Sequence, residues 1–436
     1  MLGYKPYLIR PMEQGLDTSY PGLHLPAAYA QWPAVNFRVL QGSLRRRLGY
    51  VLDRNLTEDN GMVHHIVLYT DNITGTRYTL FLTDYEAIKR ERTSGKTWSY
   101  ITDSYTTGTI TSITGTPKVN VLGSGTTFTA CAVGDYFVMT TDLTADEEPQ
   151  TVWRKIKTVT DATHIILEDS YGGATGSGNY IIRRPYTVPS NERWNWCVVK
   201  NNFIFTNGNG NVQYWAGSGY AADLNATYAC KARYCEGFAN RVFLADLDVS
   251  ASRSMYTVRW SAENLPAIFD SGANATAGEA DLLKSNDFIT GLKAVGTNLV
   301  VFRTDSLVLG TQTGVSTKPV AFTNTIPGIG CVAPYSIVEA EGTVFWVGRN
   351  DVWKLDAGNP VPIGKAIKDK LYDQFFITPS EITKTYGFAD TLRNEIMWFV
   401  RDLTGIQWIL VFNYKYGSWY AHKFSTDMSS GGRGEI

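Results

Sequence analysis

The sequence is poor in the residues and motifs on which most enzymes depend. Only five histidines occur in 436 residues, which leaves few side chains for acid–base chemistry near neutral pH. The five cysteines are an odd number and are scattered, so we expect buried free thiols rather than a disulfide framework. No hydrolase, zinc-protease or EF-hand motif occurs. We therefore expect no catalytic residue, no metal and no cofactor.

Long apolar runs and an excess of one charge are also missing. No run approaches the roughly 18 residues that cross a bilayer, and the N-terminal MLGYKPYLIRP has no signal-peptide pattern. We expect a soluble chain that is made in a cytoplasm and does not insert stably into a membrane. The 40 Lys and Arg against 41 Asp and Glu give a net charge of −1, which argues against tight, general DNA binding.

Helical periodicity is rare, which excludes doubly wound α/β enzymes. One segment, KAIKDKLYDQFF over 365–376, predicts a helix because Ile367, Leu371 and Phe375 are spaced to share one face. It lies between two segments with strand character. We expect it to connect two units of a β structure.

The sequence is rich in β-hairpins. A run of aromatic and β-branched residues repeatedly crosses a Gly/Asn/Asp turn into a second such run, with units that start at Phe203, Gly237, Leu299, Val344 and Ile396. The intervals from Leu299 to Val344 and from Val344 to Ile396 lie in the range of about 40 to 52 residues, the spacing of four-stranded propeller blades, and the unit at Gly237 fills the long gap after Phe203. The pattern predicts an all-β fold, a β-propeller of about six blades.

Composition divides the chain into five parts. The N-terminus is rich in proline, and a central stretch is rich in Thr and Gly and loses the hairpin spacing. The proline-rich N-terminal arm is expected either to pair with the last blade and close its own ring, or to reach a neighbouring subunit. The predicted parts are an extended N-terminal arm over 1–34, a first blade over 35–104, an inserted small β-barrel over 105–186, the remaining blades over 187–424 and a flexible tail over 425–436.

Two basic clusters are candidate contacts with a partner or with phosphate. They consist of Arg45, Arg46 and Arg47, and of Arg183 and Arg184. Consecutive residues of a strand point to opposite faces, so three consecutive arginines cannot all be buried and at least one side must meet water or a partner. We expect contact with an acidic subunit surface or transient contact with phosphate. Solubility alone is the alternative.

Several segments resemble one family. They are NFRVLQGSLRRRLGY from Asn36, CEGFANRVFLADLD with VRWSAENLPAIFD from Cys235, NDFITGLKAVGTNLVVFRTDSLVLGTQTG from Asn286, and IPGIGCVAPYSIVEAEGTVFWVGRNDVWKLDAG with GKAIKDKL from Ile326. This pattern of spacing and residue class resembles the tail nozzle and tail hub (tail tubular) proteins of short-tailed bacteriophages. The match extends over roughly the last 250 residues and, more loosely, the first 60. The Thr/Gly-rich barrel is not part of it.

The resemblance implies a structural protein of the virion tail, assembled in the bacterial host cytoplasm. It implies a homo-oligomeric ring, expected to be a hexamer, below the portal and adaptor proteins and in contact with tail fibres or spikes. Double-stranded DNA would be retained by this ring and later pass through it without tight binding. The connections around 316–330 and 172–178 are the candidate lumen loops.

Two other functions remain open on the sequence alone. One is a propeller enzyme that acts on carbohydrate, since Gly95, Thr97 and Trp98 resemble the end of a sialidase Asp-box turn and the many aromatic residues suit a sugar site. Thr93 stands where that motif carries aspartate. The other is a monomeric propeller that serves as a platform for protein interactions.

Overall fold

The computed structural model describes most of the chain from residue 62 onward and four short strands before it. The described ranges are 62–92, 98–143, 153–173, 176–225, 230–283, 286–356, 358–376 and 378–423, with residues 428 and 430. The predicted all-β propeller is confirmed, and its six blades are six separate sheets. The fragment around Gly95 and most of the tail lie outside the described residues.

The first strands belong to the N-terminal arm and to a separate hairpin. They are β1 (Gly15–Leu16), β2 (Tyr29–Ala30), β3 (Phe37–Leu40) and β4 (Ser43–Arg46). β1 pairs with β2 and, in parallel, with the last strand of the final blade, where Gly15 lies opposite Trp419. The arm therefore returns to its own propeller, which is one of the two arrangements that the sequence left open.

The first blade is a four-stranded antiparallel sheet. Its strands are β5 (Val63–Thr70), β6 (Arg77–Thr83), β7 (Ala87–Glu91) and β8 (Trp98–Tyr100). The predicted start of this blade at residue 35 is wrong, because β3 and β4 form a two-stranded sheet of their own. The charged segment AIKRE of β7, which does not alternate clearly, pairs with β6 and is one of the four strands, so the blade is complete without the hairpin of β3 and β4.

A seven-stranded sheet follows the first blade and closes into a small barrel. Its strands are β9 (Ser104–Tyr105), β10 (Thr109–Thr114), β11 (Asn120–Ser124), β12 (Tyr136–Met139), β13 (Arg154–Val159), β14 (His164–Leu167) and β15 (Tyr180–Arg183). Ile110 and Gly178 exchange backbone hydrogen bonds of 2.8 and 2.9 Å, which close the sheet on itself. The barrel has its own core around Phe128, Phe137 and Tyr180.

The barrel enters and leaves the propeller at one point. The backbone N–H of Arg184 donates to the carbonyl oxygen of Asp103 at 2.9 Å, and Ser104 pairs with Arg183. Short 3₁₀ turns at Phe128–Ala130 and Thr140–Asp142 complete it. The barrel is thus an insertion whose two ends are hydrogen-bonded to each other between the first and second blades.

Blades two to six repeat the same meander. The second blade has β16 (Asn195–Val199), β17 (Asn202–Thr206), β18 (Gln213–Trp215) and β19 (Ala222–Asp223). The third has β20 (Cys230–Phe238), β21 (Arg241–Val249), β22 (Ser252–Trp260) and β23 (Gly278–Asp281). The fourth has β24 (Ile289–Val295), β25 (Asn298–Arg303), β26 (Ser306–Val315) and β27 (Lys318–Pro327). The fifth has β28 (Val338–Ala340), β29 (Thr343–Val347), β30 (Val352–Asp356) and β31 (Asn359–Pro362). The sixth has β32 (Tyr386–Asp390), β33 (Glu395–Arg401), β34 (Gln407–Asn413) and β35 (Ser418–Lys423), to which β1 and β2 add.

The predicted helix between the fifth and sixth blades is confirmed. It forms as α1 (Lys368–Lys370), which continues into a π-helical turn at Leu371–Phe375. Ile367, Leu371 and Phe375 are buried in one cluster, as their spacing predicts. A further short helix, α2 (Pro379–Lys384), follows it, and a 3₁₀ turn at Pro334–Ser336 precedes the fifth blade.

Turn chemistry explains why several hairpins recur with the same geometry. The first two strands of the second, third and fifth blades are joined by two residues that both have positive φ: Lys200 and Asn201, Ala239 and Asn240, and Glu341 and Gly342. Two consecutive positive φ values are the mark of a type I′ turn, whose twist matches that of the paired strands. These turns fix the register that places alternate side chains between neighbouring blades.

The core lies between blades rather than inside any one of them. Successive apolar clusters join the first blade to the second, the second to the third, and so on to the sixth; examples are Phe203 with Leu80, Leu292 with Phe243, and Phe345 with Phe412. A single hairpin could not bury both faces. Stacking the sheets buries each face against the next, as the repeat pattern predicts. All five cysteines are buried free thiols, also as predicted.

Candidate functional site

Arg183, a predicted partner contact, is instead a buried structural residue. Only 1% of it is exposed, at the end of β15 where the barrel returns to the first blade. Its guanidinium lies 3.6 Å from the ring centre of Tyr100 and 4.0 Å from that of Trp153, and its Nε is 3.6 Å from the Glu86 carboxylate. The prediction of an external contact is wrong for this residue, because its charge is satisfied inside the junction.

Arg184 is partly exposed beside Arg183 and points to the other side of the strand. It donates from Nη1 to Asp103 at 3.1 Å and from Nη2 to the carbonyl oxygen of Ala130 at 2.8 Å. Burial raises the pKa of Asp103, although Arg184 opposes this shift. A role for Arg184 in contacting a partner stays a prediction, since about a third of its side chain faces solvent.

The other basic cluster cannot be judged in the same way. Arg45 and Arg46 lie on β4, of which the backbone alone is described, and Arg47 lies outside the described residues. Their role as contacts stays a prediction. The strands that carry the two clusters differ in their pairing. The strand of Arg183, β15, is paired within the barrel sheet, whereas β4 pairs with β3 alone in a two-stranded sheet.

A cavity of about 590 Å³ opens at the junction between the barrel and the first blade. We call it the junction cavity, and its walls include Tyr85, Glu86, Tyr136, Trp153, Lys155 and Arg183. Tyr85 is 46% exposed, and the Lys155 ammonium lies 5.5 Å from the ring centre of Tyr136. Its volume lies in the range of small-molecule sites. Sequence reasoning missed it because its walls come from segments up to about a hundred residues apart.

A second cavity, of about 440 Å³, is the central channel of the propeller. The first strand of every blade contributes to its wall. Glu236 and Lys293, on the neighbouring first strands of the third and fourth blades, form an ion pair of 3.1 Å in its wall. Burial lowers the pKa of Lys293, but the attraction of Glu236 outweighs this and leaves the pKa raised. A space of this size admits a small molecule and not a DNA duplex.

Two glycines permit the tight approach of blades around this channel. A Cβ on Gly291 would lie 2.3 Å from Cδ1 of Ile337, and one on Gly387 would lie 2.9 Å from the carbonyl oxygen of Ser336. A side chain at Gly387 would meet the backbone of Ser336 and push the neighbouring elements apart, whereas one at Gly291 would have to displace the end of the Ile337 side chain. The narrow channel is therefore a property of the sequence, as these glycines let the inner strands come close.

An ionic network joins the third blade to the segment before the second blade. The Arg233 guanidinium bridges Glu192, at 2.9 Å, and Asp246, at 3.3 Å, and Asp246 also binds Arg253 at 2.6 Å. Asp246 has a φ of 53° at a β-bulge, a conformation that non-glycine residues seldom adopt. The bulge turns the Asp246 carboxylate toward both arginines. Nothing in the strand-like sequence FLADLDV distinguishes this aspartate in advance.

The first and last blades meet through polar groups at what we call the seam. Nη2 of Arg193 donates to the carbonyl oxygen of His64 at 2.6 Å, and its Cζ lies 3.9 Å from the ring centre of Tyr386. Burial, followed by the charge of Arg193, lowers the pKa of His64 to about 4, against the opposing effect of its 2.6 Å bond to Asp84. Among the described residues, the apolar clusters join other neighbouring blades but not these two.

The segments predicted to be lumen loops have mixed outcomes. Residues 318–327 are strand β27, paired with β26 along a long ladder, so the prediction of a loop over 316–330 is wrong for most of that range. The carbonyl oxygen of Ser316, in the turn, accepts from Arg241 of the third blade at 2.7 Å. Within 172–178, Gly178 takes part in closing the barrel. Whether any of them faces a lumen stays a prediction.

Two kinds of feature are absent from the residues that the structure describes. No group of three or more His, Cys, Asp and Glu side chains among them is placed to hold a metal ion. No helix in the same residues is long and apolar enough to cross a membrane.

Comparison with known proteins gives likeness of fold alone. No protein-family model matches the chain, and no curated protein does. Among solved structures, KlHsv2 with loop 6CD replaced by a Gly-Ser linker shares 7% identity over 84% of this chain and 99% of its own, with a TM-score of 0.33. The Neurospora crassa Pan2 WD40 domain shares 9% over 85% and 81%, with a TM-score of 0.34. The Vanderwaltozyma polyspora Nup133 β-propeller domain shares 13% over 52% and 69%, with a TM-score of 0.29. Likeness this distant carries no argument about function.

Proposed function

We propose that this propeller is a structural subunit of a short-tailed bacteriophage tail, which forms a nozzle or hub ring below the portal and adaptor. The ring is expected to hold six copies, to contact tail fibres or spikes, and to retain DNA before ejection. The resemblance of the sequence to tail nozzle and hub proteins motivates the proposal. Its segments from Cys235 to Leu371 correspond to a contiguous block, from the third blade to the helix before the sixth.

The observation that carries the proposal is the pair of additions to the propeller. The barrel follows β8, the outermost strand of the first blade, and the arm extends β35, the outermost strand of the sixth. A self-contained six-bladed ring needs neither of them to bury its blades. Rigid subunits that carry extra elements on their outer edge are suited to side-by-side contacts. Such head-to-tail contacts form a closed ring when the rotation between neighbouring copies allows it.

The central channel supports a path for DNA between subunits rather than through one of them. The channel has a volume of only about 440 Å³ and is walled by the first strands of all six blades. A duplex would therefore have to pass through the hole enclosed by several copies. The net charge of −1 suits such a conduit, because each added phosphate contact would raise affinity and slow the transit of DNA.

Mass in solution and on a template tests the proposal. We expect light scattering of the purified chain, alone or mixed with a portal–adaptor complex, to give a species of about six copies. Negative-stain images should show a central hole wide enough for duplex DNA. A chain that stays monomeric at every concentration and also fails to assemble on portal–adaptor complexes would contradict it, and would favour the carbohydrate enzyme or the interaction platform.

A further inference from the structure

The junction cavity contains a buried donor that lacks a partner. Trp153 is 4% exposed and lines the cavity, and its Nε1–H has no acceptor within hydrogen-bond distance in the part of the chain that the structure describes. Buried indole N–H groups normally find an acceptor, since an unpaired one loses its hydration without compensation. The nitrogen is enclosed, so an oxygen atom of a ligand in the cavity would satisfy it after a small shift of the Trp153 ring.

The charged residues of the cavity do not call for a strongly anionic ligand. The Arg183 guanidinium is held between two aromatic rings and beside Glu86, whose Oε2 also accepts from the Thr102 hydroxyl at 2.8 Å. The remaining cation is Lys155, which is exposed at the rim next to Tyr136. A nucleotide would bring several phosphate charges to a site where one lysine is available.

The aromatic walls indicate the class of ligand. Tyr85 is 46% exposed, and Tyr136 is partly exposed across from Lys155. Flat rings with a polar edge suit ligands that combine C–H faces with many hydroxyl oxygens. From this combination of partly exposed tyrosines, an unpaired buried indole N–H and an internally neutralised arginine, we infer that the junction cavity binds a short saccharide.

Calorimetry on the full chain tests the inference with three defined probes. Maltohexaose is neutral, chitohexaose carries N-acetyl groups and hexagalacturonate is acidic, so the set also reports whether Lys155 favours an acidic sugar. We expect saturable binding of at least one probe. No saturable heat with any of them would overturn the inference, and the cavity would then hold water alone.

Variants assign the binding to this cavity. Tyr85→Ala should weaken it by about fivefold to tenfold, the loss expected for one stacking ring. Trp153→Phe should also weaken binding, because it removes the donor and keeps a ring. Tyr416→Ala is the matched control, since Tyr416 has 43% exposure and lies in a turn of the sixth blade.

Each outcome of the variants has a definite meaning. Undiminished binding in both Tyr85→Ala and Trp153→Phe, or an equal loss in Tyr416→Ala, would overturn the assignment. Circular dichroism of each variant separates loss of binding from loss of fold. Binding with release of shorter sugars would support the cavity and favour the carbohydrate enzyme. Ring assembly is measured by mass, so the inference and the proposed function fail independently.

Discussion

Acidification should loosen the seam between the first and last blades, because one buried and one half-buried histidine, His64 and His65, lie there. His64 is 2% exposed, and burial followed by the charge of Arg193 lowers its pKa to about 4. Burial, with Arg193 and His64 as further causes, lowers the pKa of His65 to about 3. In the folded protein both rings are therefore neutral at pH values where exposed histidines are already charged.

The sign and size of the effect follow from proton binding. An unfolded histidine titrates near pH 6.5, so below that value the unfolded chain binds more protons than the folded chain. The stabilisation is complete above about pH 6.5 and is lost as the pH falls toward about 4 for His64 and about 3 for His65. At about pH 5 the loss from His64 alone is ~2 kcal/mol, at 1.36 kcal/mol per pH unit.

Urea unfolding followed by tryptophan fluorescence measures this loss. We expect the midpoint to fall between about pH 7.5 and pH 5, and His64→Gln to remove ~2 kcal/mol of the fall. His164→Gln is the matched control, because His164 is 51% exposed on the barrel. The quantity compared is the change in the free energy of unfolding with pH, so a different stability of the variant at neutral pH does not affect the test. Identical slopes in the wild type and His64→Gln would refute the reasoning.

Two further changes test the packing of the fold. Arg183→Met should lower the free energy of unfolding by about 3 kcal/mol, because Glu86 keeps a buried charge without its partner, and adding Glu86→Gln should restore part of this loss. Thermal unfolding of the wild type, the single variant and the double variant measures both effects. Equal midpoints for these three proteins would contradict the buried pair. Gly330→Ala should cost about 2 kcal/mol, because its Cβ would lie 2.4 Å from the backbone of Thr304. Gly210→Ala, with nothing within 4 Å, is its control and should be close to neutral; similar losses in both would show that the backbone at Gly330 yields.

The propeller could be predicted because its signal is local. Runs such as Leu299–Arg303 and Thr343–Val347 alternate in strands and are separated by turn residues, and their spacing alone indicates stacked blades. The helix at Leu371 was predictable for the same reason, as one face carries its apolar residues. Six blades follow from counting these local units.

The errors arose where pairing in three dimensions outweighs local pattern. β7 is charged, yet it lies between β6 and β8 and is held by their hydrogen bonds. The segment after Ser316 is rich in Thr and Pro, yet β26 pairs with it over most of its length. Arg183 was taken for a surface residue because its buried partners, Tyr100 and Trp153, are distant in sequence. Such contacts leave no local signature.

The barrel takes part in both the proposed ring and the proposed saccharide site, and both depend on how it is attached to the first blade. The two ends of the barrel are hydrogen-bonded to each other at Asp103 and Arg184. If these two neighbouring chain connections were its sole attachment, the barrel could rotate relative to the first blade. Arg183 prevents this, since its side chain packs on Tyr100 and beside Glu86 of the first blade and on Trp153 of the barrel. A barrel fixed in this way can present a constant surface to a neighbouring subunit, and the same stack forms one wall of the junction cavity. Because the wall and the anchor share Arg183, a ligand there would act on the element that a ring would use for contact, and a saccharide that alters ring mass would show that the two are coupled.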